Sequence, residues 1–230
     1  MSDLQENLAS IRRKMASACR DAGRVPGDVE LVAVTKTFPA DAVSEAYRAG
    51  QRIFGESRLQ EALPKMELLP GDIQWHFIGR VQRNKLRKIL AVFDFVHGID
   101  SADLAEAADR IAGELGLFPK VFLQVNIANE ETKGGFTPSA LEDAMPALLA
   151  LPRLEIQGLM AIPPPADTPD DARKWFSALR DLRDRLEVAN GVRLPGLSMG
   201  MSDDFEAAIA EGATLVRVGS AIFGNRSANP

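Results

Sequence analysis

Glu30-Leu31-Val32-Ala33-Val34-Thr35-Lys36 is an apolar, strand-like run that ends in a lysine. Thr214-Leu215-Val216-Arg217-Val218-Gly219-Ser220 is its counterpart near the other end of the chain. By the two-residue alternation of a strand, Lys36 shares a face with Val32 and Val34, and Arg217 shares one with Leu215 and Gly219. If both faces turn toward one interior, two cations meet at one end of a core. Burying like charges together is costly unless something anionic sits between them.

Outward from these two runs the chain alternates. Leu4, Leu8, Ile11, Met15 and Ala18 recur at helical spacing over 3–22, and Gly23 closes that helix. Strands are expected at 31–36, 52–55, 73–78, 93–96, 121–126, 154–160, 195–198 and 214–219. Helices follow them at 39–50, 57–66, 82–90, 101–115, 138–150, 169–189 and 203–211, with a short tail helix after Ser220. Ser101 and Gly116 punctuate one of these helices as N-cap and C-terminal stop. Eight β-then-α units behind one N-terminal helix predict a single α/β domain over 1–230, a (β/α)8 TIM barrel with parallel strands and helices outside. An open doubly wound sheet is the alternative. Trp175-Phe176, Leu179 and Leu182 read as helical core. The segment from Pro163 to Asp171 reads either as a lid over the rim or as a plain surface loop.

Composition narrows the function. Hydrophobic residues make up 46% and charged residues 26% of 230 residues, ordinary for a globular protein. A net charge of −5 gives no reason to expect nucleic acid or an anionic membrane as partner. Cys19 is the only cysteine, so no intramolecular disulfide and no cysteine metal cluster is expected. The N-terminus lacks the pattern of a secretory signal, and no apolar run approaches the ~20 residues of a membrane span, so a cytoplasmic location is expected. With two histidines and no matching carboxylate spacing, no metal site is expected.

In a barrel the strand C-termini share the rim where sites are built. The residues expected there are Lys36, Phe54-Gly55-Glu56, His76, Asn126, Met160, Ser198 and Ser220. The loops after strands seven and eight, Ser198-Met199-Gly200-Met201-Ser202 and Gly219-Ser220, offer hydroxyls and backbone N–H groups suited to a phosphate. Asp203 with Glu206 reads as a capping box facing away from that phosphate. An inward lysine among cationic and apolar groups is nucleophilic toward aldehydes, and a phosphorylated aldehyde held as a Schiff base on lysine is pyridoxal 5′-phosphate. Arg217 then lies beneath the cofactor ring and donates to its nitrogen, which weakens the ring as an electron sink. A buried ion pair with Glu56 is the plainer reading of Arg217. His76 is either a packed strand residue or part of the pocket, and His97 reads as structural. Arg80, Arg83, Lys85, Arg87 and Lys88 form a solvated helix face or a partner surface.

Several longer segments carry a resemblance. They are Ala33-Val34-Thr35-Lys36-Thr37, Phe54-Gly55-Glu56, Trp75-His76-Phe77-Ile78-Gly79, Gln82-Arg83-Asn84-Lys85, Gly158-Leu159-Met160-Ala161-Ile162-Pro163, Leu197 to Asp204, and Arg217 to Gly224. Almost end to end the chain resembles the pyridoxal 5′-phosphate homeostasis protein family. The resemblance implies a barrel similar to the N-terminal domain of alanine racemase, with the cofactor on Lys36. It also implies phosphate contacts at Ser198, Gly219 and Ser220 and a ring-nitrogen contact at Arg217. Met199, Gly200, Asn126 and His76 complete the expected cofactor-binding set. Where the family usually has Asn after Phe-Gly-Glu this chain has Ser57, and Gly134-Gly135 stands where the family has Ser-Gly or a similar pair.

The expected role is a carrier that holds the cofactor reversibly, without robust catalysis, as a monomer that supplies pyridoxal phosphate-dependent apoenzymes. The enzymatic alternative is an amino-acid racemase, which needs an acid/base group on each face of the bound substrate. The only tyrosine, Tyr47, falls mid-helix and is expected outside the barrel, which counts against it. A Schiff-base aldolase using Lys36 without cofactor is the third possibility, separable from the others by the colour of the pure protein.

Overall fold

Residues after Glu30 in β1 (Glu30–Val34) are buried on both faces, as a strand covered from two sides requires. A computed structural model, which describes residues 2–166 and 168–224, supplies the cover. Helix α1 (Asp3–Asp21) precedes β1. Then come α2 (Ala40–Arg48), β2 (Ile53–Glu56), α3 (Leu59–Leu68), β3 (Gln74–Phe77) and α4 (Leu86–Val92). They are followed by β4 (Phe95–Ile99), α5 (Ala102–Leu115), β5 (Lys120–Val125), α6 (Pro138–Leu149), β6 (Glu155–Ala161) and α7 (Pro169–Asn190). The last units are β7 (Gly196–Ser198), α8 (Phe205–Ala210), β8 (Leu215–Val218) and α9 (Ser220–Phe223). The strands close in sequence order into a parallel barrel. Pairing of β1 with β8 excludes the open sheet and sets Val32 opposite Arg217.

Two apolar layers follow from the alternation. Val32, Phe122, Met160 and Leu215 fill the inside of the barrel, flanked by Ile53 and Phe95. The outward residues of the strands pack against the helices, among them Leu8, Ile11, Met15 and the buried Cys19 of α1. Room for Phe122 in the centre comes from a glycine pair. A Cβ on Gly158 would lie 1.8 Å from the Gly196 carbonyl, and one on Gly196 would lie 2.5 Å from the Phe122 ring. Helix α1 lies against α8, α9 and α2, so it spans the joint between the last unit and the first. Asn7 donates to the Ile222 carbonyl at 3.2 Å, and Arg24 donates to the Ile209 and Ala213 carbonyls at 2.8 Å each.

Some local expectations change. Strand β4 begins at Phe95, because Phe93 caps α4 and Asp94 accepts the Trp75 N–H at 2.7 Å in the connection. The capping box at Asp203 and Glu206 does not form. Asp204 is the N-cap of α8, and its carboxylate turns back to accept the Met201 N–H at 2.6 Å. Phe176, Leu179 and Leu182 are core, while Trp175 is half-buried beside Lys174. Tyr47 lies on α2 and donates to Asp72 at 2.7 Å, outside the barrel as expected.

Glu56 does not meet Arg217. Its neighbour Gly55 faces the interior, where a Cβ would touch the Val32 side chain at 2.9 Å, so Glu56 points outward to α3. There its Oε1 accepts from Lys65 at 2.6 Å and from the Thr35 hydroxyl at 2.7 Å, and Lys65 also donates to the Thr35 carbonyl at 2.8 Å. Glu56 is fully buried and Lys65 is 8% exposed. Removing one member of such a pair leaves an uncompensated buried charge. Lys65→Met is therefore expected to destabilise the fold by about 3–5 kcal/mol in urea unfolding, and adding Glu56→Gln is expected to recover part of the loss. A loss within that of an ordinary surface substitution would mean that water already reaches Glu56.

Candidate functional site

Thr35, fastened from outside by Lys65 and Glu56, opens a tight turn in which the Phe38 N–H donates to the Thr35 carbonyl at 3.1 Å. Lys36 and Thr37 occupy its two middle positions. Thr37 has φ 71°, a left-handed conformation that a β-branched residue adopts only under constraint. The constraint is visible: its N–H donates to Glu61 at 3.1 Å, and Arg58 holds Glu61 at 2.7 Å. That Arg58 contact, with the Thr37 N–H assisting against partial burial, holds the Glu61 carboxyl below the ordinary carboxylate range. The turn aims the half-buried Lys36 into a cavity of about 460 Å³ over the C-terminal end of the barrel, within the usual range for small-molecule sites.

The opposite wall comes from the loops after β7 and β8. Ser202, Gly219 and Ser220 line it. The Gly219 N–H and the Ser220 hydroxyl both lie within reach of the Ser202 hydroxyl, at 3.4 and 3.2 Å. Helix α9 begins at Ser220, and while its Ile222 and Phe223 N–H groups donate to the Gly219 carbonyl at 2.9 and 3.0 Å, those of Ser220 and Ala221 precede its ladder. A Cβ on Gly219 would press on the Val34 carbonyl at 3.3 Å, so glycine there lets the two chain segments close around the cavity. This end suits a small oxyanion.

Arg217 supplies the floor. It is 4% exposed, and its fork donates to the Ser198 hydroxyl at 2.5 Å and to the Ala161 carbonyl at 2.9 Å. Burial lowers its pKa to about 10, with attraction from Asp204 opposing the shift, so the guanidinium keeps its charge at neutral pH. Behind Ser198 the polar contacts continue. His97 Nδ1 lies 2.9 Å from Ser198 Oγ, and His97 Nε2 lies 2.9 Å from His76 Nδ1. Burial holds both imidazoles neutral, His76 with a pKa of about 3 and His97 well below its ordinary value, with the neighbouring His76 and the Arg217 charge adding to the effect on His97.

Of the residues expected at the site, Lys36, Arg217, Gly219 and Ser220 converge on the cavity. Ser198 lies beneath Arg217, fully buried, and its hydroxyl is engaged by Arg217 and His97 at the barrel centre. Met199 is core, and Gly200, at φ 91°, packs so close to α8 that a Cβ would lie 2.6 Å from that of Ala208. Asn126 closes its own loop, donating to the Glu130 and Lys133 carbonyls at 2.8 and 3.2 Å. His76 is interior. Ser202 takes the position at the cavity that was expected of Ser198, and Asp203 lines the cavity instead of facing away. Val34, Phe38, Ser57, Ile78, Ile162, Met201 and Gly224 complete the walls, none of them marked by residue type alone.

Known proteins resemble this chain in sequence and fold. Residues 2–227 match the alanine racemase N-terminal domain family. A pyridoxal phosphate homeostasis protein of Pseudomonas aeruginosa is 46% identical over 229 residues, covering 98% of this chain and 97% of that one. One of Aquifex aeolicus is 41% identical over 222 residues, covering 96% and 97%. The structure of PipY of Synechococcus elongatus with pyridoxal phosphate bound superposes with a TM-score of 0.85 at 43% identity, over 96% of this chain and all of that one. An alanine racemase of Clostridium difficile shares the fold at 16% identity, with a TM-score of 0.72 over 58% of its own length.

The two histidines make acid sensitivity predictable. Their folded pKa values are depressed, so between the ordinary value near 6.5 and the folded value the unfolded chain binds more protons, and stability falls as pH falls. Each contributes about 1.4 kcal/mol per pH unit below roughly pH 6.5. Urea unfolding between roughly pH 6 and 5, above most carboxylate titration, is expected to show this slope. A flat profile there would mean that the imidazoles are charged in the folded protein.

Proposed function

Since the chain belongs to the pyridoxal phosphate homeostasis protein family, we propose that it binds pyridoxal 5′-phosphate as a Schiff base on Lys36 and serves intracellular homeostasis of that cofactor without robust catalysis. The observation that carries this reading is the convergence of one lysine, one buried guanidinium and a hydroxyl-and-amide wall on a single cavity. Ser202, Gly219 and Ser220 would hold the phosphate, Lys36 the carbonyl carbon and Arg217 the ring nitrogen. The cofactor supplies an aldehyde that amines add to reversibly, together with a ring that can draw electrons.

The residues around it favour holding over turnover. Two of the five N–H groups of Arg217 are committed to Ser198 and Ala161, which sets the plane of its fork. A guanidinium can only donate, so a ring nitrogen facing it stays unprotonated and the ring draws electrons weakly. Tyr47, the only tyrosine, is committed to Asp72 outside the barrel and cannot act on the face opposite Lys36. The racemase reading therefore lacks its second acid/base group. The carrier acts as a cytoplasmic monomer and hands its cofactor to apoenzymes that depend on it. Among the described residues no helix is long and apolar enough to cross a membrane.

Lys36→Ala is expected to abolish both the visible imine band and trapping by borohydride, with the thermal transition kept, because Lys36 is at the rim and outside the packed layers. A borohydride-stable adduct in that variant, located by peptide mapping, would move the attachment to another lysine. Deuterium exchange at the α-carbon of alanine is expected to be slow in the loaded wild type, and faster per bound cofactor in Arg217→Glu, which favours a protonated ring nitrogen. Rapid exchange with racemisation in the wild type would make the protein an enzyme.

A further inference from the structure

Arg217, Ser198, His97 and His76 form one hydrogen-bonded file across the barrel interior, contributed by β8, β7, β4 and β3. Of these four only Arg217 reaches the cavity. The hydrogens in the file can be assigned. Ser198 accepts from Arg217 and has a single hydrogen to give, and His97 Nδ1 is the neighbour within reach. His97 then carries its hydrogen on Nε2 and donates to His76 Nδ1, and His76 carries its own on Nε2. That leaves one stranded group, His76 Nε2, which is buried without a protein partner. The opposite assignment strands the Ser198 hydrogen as well. The first is favoured, since each unmet buried group costs about 1–3 kcal/mol. Both imidazoles must be neutral for such a file, and burial keeps them so.

In this arrangement every dipole turns its negative end toward the guanidinium, and each bond polarises the next. We propose that His97 and His76 are positioning residues that act through Ser198 to orient Arg217 and offset its buried charge where, among the described residues, no carboxylate is hydrogen-bonded to it. The inference rests on the reading that Arg217 faces the ring of the bound cofactor. A carboxylate in the same place would orient the fork equally well, but would cancel the charge that the ring nitrogen meets. A polarised hydroxyl orients the fork and leaves the charge intact. The rings are themselves wedged, His76 stacked on Phe95 at 4.4 Å and His97 against Phe122 at 4.5 Å between centroids, so the file has little freedom to rearrange.

The test has two arms. Histidine-ring nitrogen–proton correlation spectra of the full chain are expected to show His97 and His76 as neutral Nε2–H tautomers, and the His97 signals are expected to move in Ser198→Ala and in Arg217→Met. A hydrogen on His97 Nδ1, or signals unmoved by both substitutions, overturns the proposal whatever the protein binds. In the second arm, pyridoxal phosphate binding is expected to weaken about tenfold in Ser198→Ala and about tenfold in His97→Phe, with the double variant no weaker than either. Ser198→Thr, which keeps the hydroxyl, is expected to restore most of the loss. Leu123→Ala, buried on the outward face of β5 away from the file, controls for packing: it is expected to lower the melting temperature while keeping wild-type tautomers and binding. Additive losses, or a loss in Leu123→Ala equal to that in His97→Phe, overturn the proposal. If His97→Phe does not fold, the comparison of Ser198→Ala with Ser198→Thr decides the second arm. A wild type that binds no pyridoxal phosphate refutes the carrier reading, while the spectra still decide whether the file exists.

Discussion

A full positive charge held inside a barrel by a hydroxyl and a carbonyl is the constraint to which much of this molecule answers. Arg217 bonds to Ser198 of β7 and Ala161 of β6, and its backbone N–H donates to the Gly200 carbonyl at 3.0 Å. One residue thus ties three adjacent strand ends to the floor of the cavity. Val32, opposite Arg217 on β1, starts the short climb to Lys36. Cavity, floor and lysine are therefore set by one register, and a slip of one residue between β8 and β1 would turn Arg217 out of the interior.

Charges are handled differently on the two sides of the wall formed by β1 and β2. Outside, Glu56 and Lys65 neutralise each other and grip the hydroxyl and the carbonyl of Thr35. Inside, Arg217 is compensated by neutral dipoles, with the attraction of Asp204 acting from further away. The outer pair costs desolvation but leaves no net charge, and its gain is geometric: the turn that carries Lys36 and the constrained Thr37 is held from behind. The inner arrangement keeps its charge, which is what an electron-rich ring nitrogen can recognise.

The architecture was legible because it is written in periods. Alternating strand and helix patterns, Ser101 and Gly116 at the ends of α5, and apolar runs such as 31–34 all pointed to a closed parallel barrel. Period-two reasoning also placed Lys36 and Arg217 on inward faces. It could not say at what height along the barrel a side chain sits, because that depends on strand stagger. Ser198 illustrates the limit: it pairs with Leu215, below the level of Arg217, and Ser202 stands at the cavity instead. The alternative pairing of Glu56 with Arg217 rests on residue type alone, and alternation from Gly55 sends Glu56 outward to Lys65 instead. Asp203 and Asn126 lie in loops, where no period constrains direction. The histidine file was the least visible, since His76, His97 and Ser198 are far apart in the chain and meet only after the barrel closes.

Cys19 has a consequence of a practical kind. It is the only thiol of the chain, it is fully buried on the inner face of α1, and burial raises its pKa. A soluble thiol reagent can therefore reach it only when the packing around α1, the helix that lies against α8, α9 and α2, opens. The rate of that modification is a built-in clock for the opening of the joint between the last unit and the first. Because Asn7 of the same helix holds the Ile222 carbonyl of α9, which begins at Ser220, the clock reports on the mechanical integrity of the wall that carries Gly219 and Ser220 without any label being added there.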